Sequence, residues 1–403
     1  MTTETRTTTG ARSSAAPVPD QFDDEDFRHR LRGFLDEHHP GDPPGDRRKR
    51  LAFDRSWAAL MADSGYAGPA WPTEWGGMDL PLSRQLIYHD EVARARVPVH
   101  PSPHAFMVGP TILVAGTEDQ CRRFLRPTLR ADLLWAQGFS EPNAGSDLAS
   151  LRTRAERDGE DYVVNGVKVW TSRADYSDWL FALVRTGTPE SRQHGISYLL
   201  IDLASPGLSI LPLRDMTGGH RFTQITFTDV RVPVENRVGE ENAGWPIART
   251  TLGHERSTSR VPAVLRYRRV VGELIELARD RGLSSDPLIR QRLARVHAGC
   301  EVLITTSRRI VAELLQGGEP GPASSMFRLS HALFEQELHE TAMAILGTAG
   351  LLGSSEASSV QGGRWVWGYL NTRASTIGAG TAEIQRNTMA ERVLGLPREI
   401  APS

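Results

Sequence analysis

The chain is 403 residues long with a formal net charge of −2, too long for one simple core and without the basic excess a nucleic-acid partner requires. Its two cysteines, Cys121 and Cys300, stand far apart and outside any metal-ligand spacing, which argues against a disulfide scaffold or a zinc site and fits a reducing cytoplasm. No run of about 18 apolar residues occurs, so nothing in the sequence reads as a membrane span.

Residues 1–20 are rich in Thr, Ser, Ala and Arg and lack an apolar segment, so they read as a disordered tail rather than a secretory signal. Organellar transit peptides share that composition, but Glu4 and the absence of an amphipathic period count against one here. From 21 to 130 the pattern is helical. Phe27, Leu31, Phe34 and Leu35 recur at three- and four-residue steps, as do Trp57, Leu60 and Met61. Pro40–Asp46 is a connector, and Gly65, Gly68, Pro69, Pro72 and Gly76-Gly77 break the chain before further helices around Leu86-Ile87 and Ile112–Val114.

From 131 to 242 the period changes. Tyr162–Val164, Val167–Trp170, Trp179–Val184, Ile196–Ile201, Leu208–Leu213 and Ile225–Phe227 are short runs of β-branched and aromatic residues. Asp158-Gly159 and Asn165-Gly166 read as hairpin turns, and the whole reads as a small barrel or sandwich. From 243 to 403 the chain is helical again, over Val261–Ala278, Leu288–Gln316, Met326–Leu346 and Ala382–Val393, with Pro262 kinking or restarting the first of these and Gly317–Pro322 as a break. Helices, then strands, then helices is an α+β order without βαβ alternation, and no GxGxxG follows a strand. A dinucleotide, if bound, is held by some other device.

Two stretches carry the chemistry. Ser140–Asp147 is a compact loop with amides and a hydroxyl, a shape that cradles phosphate or thioester oxygens but is common as a plain turn. Asn165–Ser172 is a strand bearing Trp170 and Ser172, which alone could be ordinary core packing. Together, at their separation, they resemble the T/S-E-P-x-A-G-S-D loop and N-G-x-K-x-W-I-T/S strand of the acyl-CoA dehydrogenase family. Gly380–Asn387 resembles that family's G-T-x-E/Q-I-Q-R-N segment.

The resemblance covers residues 22–396 and implies an N-terminal helical domain, a central β-barrel or sandwich and a C-terminal helical bundle. It implies FAD between sheet and bundle, an acyl thioester substrate, α,β-dehydrogenation, electron transfer to an electron-transferring flavoprotein, and a homotetramer. It assigns Gln137, Phe139 and Ser140 to the flavin's pyrimidine edge, Trp170 to its face and Ser172 to its N5/O4 region. Gly145 and Ser146 fall in the phosphate or pantetheine loop, and Thr381 and Glu383 in the C-terminal segment that helps hold FAD. Gly347 and Thr348 fall in a turn reaching a neighbouring subunit, with Thr348 replacing a commoner glycine. Arg281 matches an arginine that crosses to the neighbour's pyrophosphate, although Ser284 and Ser285 replace the usual phenylalanine and glycine, and a solvated helix-end arginine remains the other reading.

The family's commonest base position reads Ala379, which cannot accept a proton. Some branches place the glutamate on the helix after the β-domain, in an E-R pair, and Glu255-Arg256 matches it. Glu255 is then the α-proton base and Arg256 a contact to the substrate arm. An exposed helical ion pair is the plainer reading of the same two residues. Two other functions stay open: a flavin-dependent monooxygenase on the same fold, and a weakly active subunit of a mixed dehydrogenase assembly.

Overall fold

The structure, a computed structural model, describes residues 23–256, 261–315, 323–353 and 356–398. The first layer is five helices: α1 (Asp24–Glu37), α2 (Arg47–Asp63), α3 (Leu82–Ala95), α4 (Ala105–Ala115) and α5 (Glu118–Leu129). Their starts are written in the sequence. Asp23 caps α1 by accepting from the Asp26 N–H, Asp46 caps α2, and Thr117 with Gln120 forms a reciprocal capping box on α5. The α1 stripe Phe27, Leu31 and Leu35 is buried against Trp57, Met61 and Tyr88. Beside it, the buried Glu91 of α3 takes a two-pronged contact from Arg32 of α1, at 2.7 and 2.9 Å, and further bonds from Arg28 and Arg94.

Eight strands follow: β1 (Trp135–Gly138), β2 (Arg154–Asp158), β3 (Asp161–Ser172), β4 (Trp179–Arg185), β5 (Ile196–Asp202), β6 (Leu208–Leu213), β7 (Phe222–Pro233) and β8 (Arg237–Val238). They are ordered β6-β7-β3-β2-β4-β5-β8, with β1 parallel to β4. β2 and β4 share a single parallel pairing, Arg154 with Arg185. Side chains of β3 and β7 (Tyr162, Val164, Ile225, Val230) and of β4 and β5 (Leu180, Ala182, Leu199, Ile201) enter one core, so the sheet folds over on itself. Asp158-Gly159 is the expected hairpin, with Asp158 opposite Asp161.

Asn165-Gly166 is not a hairpin; it lies inside the continuous strand β3 at a shift of register against β7. Two tertiary contacts decide this. Asn165 exchanges hydrogen bonds with Asp229 of β7. Gly166, at φ +145°, lies so close to Thr153 that a Cβ would stand 2.6 Å from its Cα.

The last layer is α6 (Gly244–Arg256), α7 (Val261–Asp280), α8 (Pro287–Leu315), α9 (Ala323–Leu346), α10 (Arg364–Asn371) and α11 (Ala382–Arg392). α7 opens one residue before Pro262, a position where the missing N–H costs nothing. α8 starts at Pro287, with the Asp286 carboxylate accepting from the N–H groups of Leu288 and Ile289. α10 was not anticipated from the sequence. No described helix is long and apolar enough to cross a membrane. The layers are joined through α4 and α6, where the buried Thr111 and Thr251 hydroxyls meet at 2.8 Å, and through a core shared by α4, α5, β1, β4, β5 and α6.

Candidate functional site

A cavity of about 1380 Å³ opens between the sheet and the bundle. A pocket for one small ligand runs to roughly 300–1,000 Å³, so this volume suits a large cofactor with a second ligand. Gln137, Phe139, Ser140, Gly145 and Ser146 line it from β1 and the following loop, and Trp170 and Ser172 line it from the end of β3.

Local structure explains the aim of each. Phe139 is fixed by edge-on contacts with Phe181 and Tyr198, ring centres 5.7 and 6.1 Å apart. A second register shift in β3, between Lys168 and Thr171, turns Trp170 out of the ladder. Trp170 thereby takes φ +60°, a left-handed conformation unusual for a bulky residue, and is 60% exposed with Phe222 edge-on to it at 5.8 Å. Behind the loop, the fully buried Lys168 reaches the Glu141 carboxylate at 2.8 Å and the Phe139 carbonyl at 3.2 Å. Burial pulls the Glu141 carboxyl upward, yet Lys168 and the N–H groups of Arg152 and Thr153 outweigh it and hold the carboxyl below its ordinary value.

The opposite wall is the 377–380 turn and α11. Arg328 donates to the carbonyls of Ser375 and Gly378, at 2.7 and 2.6 Å, and braces the turn. Ala379 lines the cavity at φ +55°, so a methyl group stands there. Thr381 caps α11 through the Ile384 N–H, and Glu383 is exposed beside Arg386; neither lines the cavity. Arg281, Gly347 and Thr348 are exposed at the ends of α7 and α9, and a single chain does not bring them to this cavity. α6 forms wall through Trp245, Arg249 and Leu252. Glu255 and Arg256 are its last two residues, and their side chains fall outside the described part of the structure.

The structure adds residues the sequence did not single out. His104 stands on the wall with Nδ1 3.2 Å from the Trp135 carbonyl. A carbonyl only accepts, so Nδ1 carries the proton. Burial pushes the imidazole pKa down to about 4, so at neutral pH Nε2 is an uncharged acceptor. Arg214, Arg249 and Arg392 are exposed cations on the wall with no ion-pair partner among the described residues. A chain with 47 basic residues gives such arginines no contrast in sequence.

Both walls fit a flavin dinucleotide. Trp170 offers an open aromatic face, Ser140 and Ser172 offer hydroxyls, and the arginines offer charge for phosphates. The Oε1 of Gln385 is buried on the wall with no partner among the described residues, an acceptor awaiting a donor of the kind a ribityl hydroxyl supplies.

A folded-over sheet between two helical layers, with one large cavity at the sheet–bundle seam, defines an architecture that comparison with known proteins identifies. Family models match in three consecutive parts: the acyl-CoA dehydrogenase N-terminal domain at residues 22–132, the middle domain at 136–230 and the C-terminal domain at 242–394. The chain is 38% identical over 389 residues to acyl-CoA dehydrogenase IpdE1 of Mycobacterium tuberculosis, covering 94% of this chain and 99% of that protein. Among solved structures, the Tcur3481-Tcur3483 steroid ACAD superposes with a TM-score of 0.81 at 30% identity, covering 93% of this chain and 98% of that one. The ChsE4-ChsE5 complex from M. tuberculosis superposes with a TM-score of 0.77 at 34% identity, covering 96% and 100%. The chain belongs to the acyl-CoA dehydrogenase family. Its members are FAD-dependent oxidoreductases that act on CH–CH groups of acyl thioesters.

Proposed function

We propose that this chain carries out α,β-dehydrogenation with Glu255 as the base that removes the α-proton. The observation behind this is the pairing of two positions. Ala379 lines the cavity where a carboxylate would otherwise stand, and α6 forms the facing wall. Glu255 follows Leu252 of that wall by three residues, the spacing of one helical face. A bound FAD supplies the acceptor for the β-hydride. Trp170 would support its ring system, Gln137, Ser140 and Ser172 its polar edge, and Gly145 and Ser146 its phosphates or the substrate's arm. Thr381 and Glu383 would shape the C-terminal side, and Arg281, Gly347 and Thr348 would serve a neighbouring subunit's cavity. Arg256 would contact the substrate arm. The steroid named for one relative makes a polycyclic acyl thioester the first substrate to try.

Anaerobic stopped-flow reduction with such a substrate tests the base. Glu255→Gln should slow it by about 10²–10⁴-fold while FAD content and melting temperature stay at wild-type values. Reduction at the wild-type rate would make Glu255 a surface charge.

A second reading has support in the relatives, since two of the solved structures are described as pairs of different chains. In such an assembly this chain would be a partner subunit, and Glu255→Gln would leave the turnover of the mixed complex unchanged. Electrons would leave to an electron-transferring flavoprotein in either case.

A further inference from the structure

Only two residues of this arginine-rich chain are lysines, Lys49 and Lys168. Lys168 is fully buried on β3 just behind the cavity wall. Its ammonium stands 2.8 Å from Glu141 Oε1 and 3.2 Å from the Phe139 carbonyl oxygen. Neutralising Glu141 would explain the first contact but not the second. The Glu141 carboxylate already accepts the Thr153 N–H at 2.9 Å and the Arg152 N–H at 2.7 Å.

The second contact matters because of what lies across the same peptide. No cis bond occurs in the described chain, so the Ser140 N–H points opposite to the Phe139 C=O. The carbonyl faces the buried ammonium, and the N–H therefore faces the cavity that Phe139 and Ser140 line. That N–H has no acceptor among the described residues. The next peptide along is held by the Val169 N–H, which donates to the Ser140 carbonyl at 3.0 Å. The Phe139–Ser140 peptide is thus held at its carbonyl and through its neighbour, with one donor left over, aimed at the ligand.

A cation on a carbonyl oxygen draws electron density from its amide and strengthens the N–H as a donor. In a dry interior such polarisation passes along a hydrogen-bonded chain. We infer that Lys168 is a positioning residue that fixes and polarises the Ser140 N–H as a donor to the flavin's pyrimidine edge. The gain is greatest for the reduced cofactor, where negative charge gathers at that edge. This rests on the placement of FAD proposed above. Its consequence is a tighter hold on reduced than on oxidised FAD, and so a higher reduction potential.

The test is a potentiometric titration of FAD-loaded protein, with sulfite affinity as a second optical readout, because the sulfite adduct also places negative charge on the pyrimidine edge. Lys168→Met alone strands a buried carboxylate and Glu141→Gln alone strands a buried ammonium, so the working variant is Lys168→Met with Glu141→Gln, which replaces the ion pair by a neutral pair, compared with wild type. The two differ by the ion pair, of which the ammonium is the member that reaches the Phe139 carbonyl. The double variant should lose at least tenfold in its preference for reduced over oxidised FAD, a potential about 30 mV more negative for a two-electron couple. It should also bind sulfite at least tenfold more weakly. Equal potentials and sulfite affinities in wild type and the double variant would overturn the inference and leave Lys168 as an ion-pair partner. A folded double variant that no longer holds oxidised FAD would overturn it too. Failure of the FAD placement itself would show separately, as wild-type protein whose flavin spectrum and retention ignore both Trp170→Ala and Ser172→Ala.

Discussion

Trp170 combines two costs: a left-handed backbone conformation and a largely exposed indole. Strain of that kind amounts to about 1–3 kcal/mol and persists where a ligand or the surroundings demand it. Trp170→Gly should therefore stabilise the FAD-free protein by about 1 kcal/mol while weakening flavin retention on gel filtration. A variant that melts lower and keeps its flavin would make Trp170 ordinary packing. His104 makes the opposite point about legibility. Trp170 stood in a local motif, whereas His104 lies 31 residues before Trp135, the residue whose carbonyl it meets, and a lone histidine before an apolar run looks like core. Its folded pKa, about 4, lies below the ordinary 6.5. The folded state therefore resists a proton that the unfolded chain takes up, and stability is lost as pH falls from about 6.5 towards 4. His104→Phe should flatten that limb of the melting-temperature profile; an unchanged limb would assign it to the other histidines that burial lowers, His89, His100 and His339.

At the level of elements, α1 and α3 are clamped through Glu91, whose carboxyl is held down at about 2 chiefly by Arg32 against the opposing pull of burial. Depressed below its ordinary value of 4.5, it contributes stability that is complete above about pH 4.5 and lost as pH falls towards 2, a lower window than that of His104. Glu91→Gln should cost about 3 kcal/mol, since it leaves three guanidinium groups around an uncharged amide, and chemical denaturation at pH 7 would measure it. A loss within 0.5 kcal/mol would reduce the clamp to an ordinary surface network. Elements with local rules were legible in sequence: the apolar stripe of α1, the Asp158-Gly159 turn, and the long bundle helices. Elements set by distant contacts were not. Asn165-Gly166 has hairpin chemistry, but Asp229 and Thr153 keep it inside a strand. α10 follows a Gly- and Ser-rich stretch, and is held by burial of Trp365 against α9.

For the molecule as a whole, Arg281, Gly347 and Thr348 stay on the outer surface of a single chain, and Leu351, in the same turn as Gly347 and Thr348, is 84% exposed. Apolar exposure next to residues proposed to serve a neighbour predicts assembly. Light scattering of purified protein should give more than a monomer. If the chain alone is monomeric and a co-expressed second dehydrogenase-like chain raises the mass, the mixed assembly replaces the homotetramer. A monomer under both conditions would remove the proposed role of Arg281. The placement of the cavity has a further mechanical meaning. Its walls belong to the sheet and the bundle, whose direct contact elsewhere runs mainly between β5 and α6, so a ligand there works as a rivet across a seam. Such a ligand raises stability by RT ln(1 + [L]/Kd), about 2.7 kcal/mol at a hundredfold excess over Kd. The stripped protein should then melt in a manner that depends on added FAD, and protease should cut it first near residues 214–220, where the strand layer faces the bundle across the empty seam.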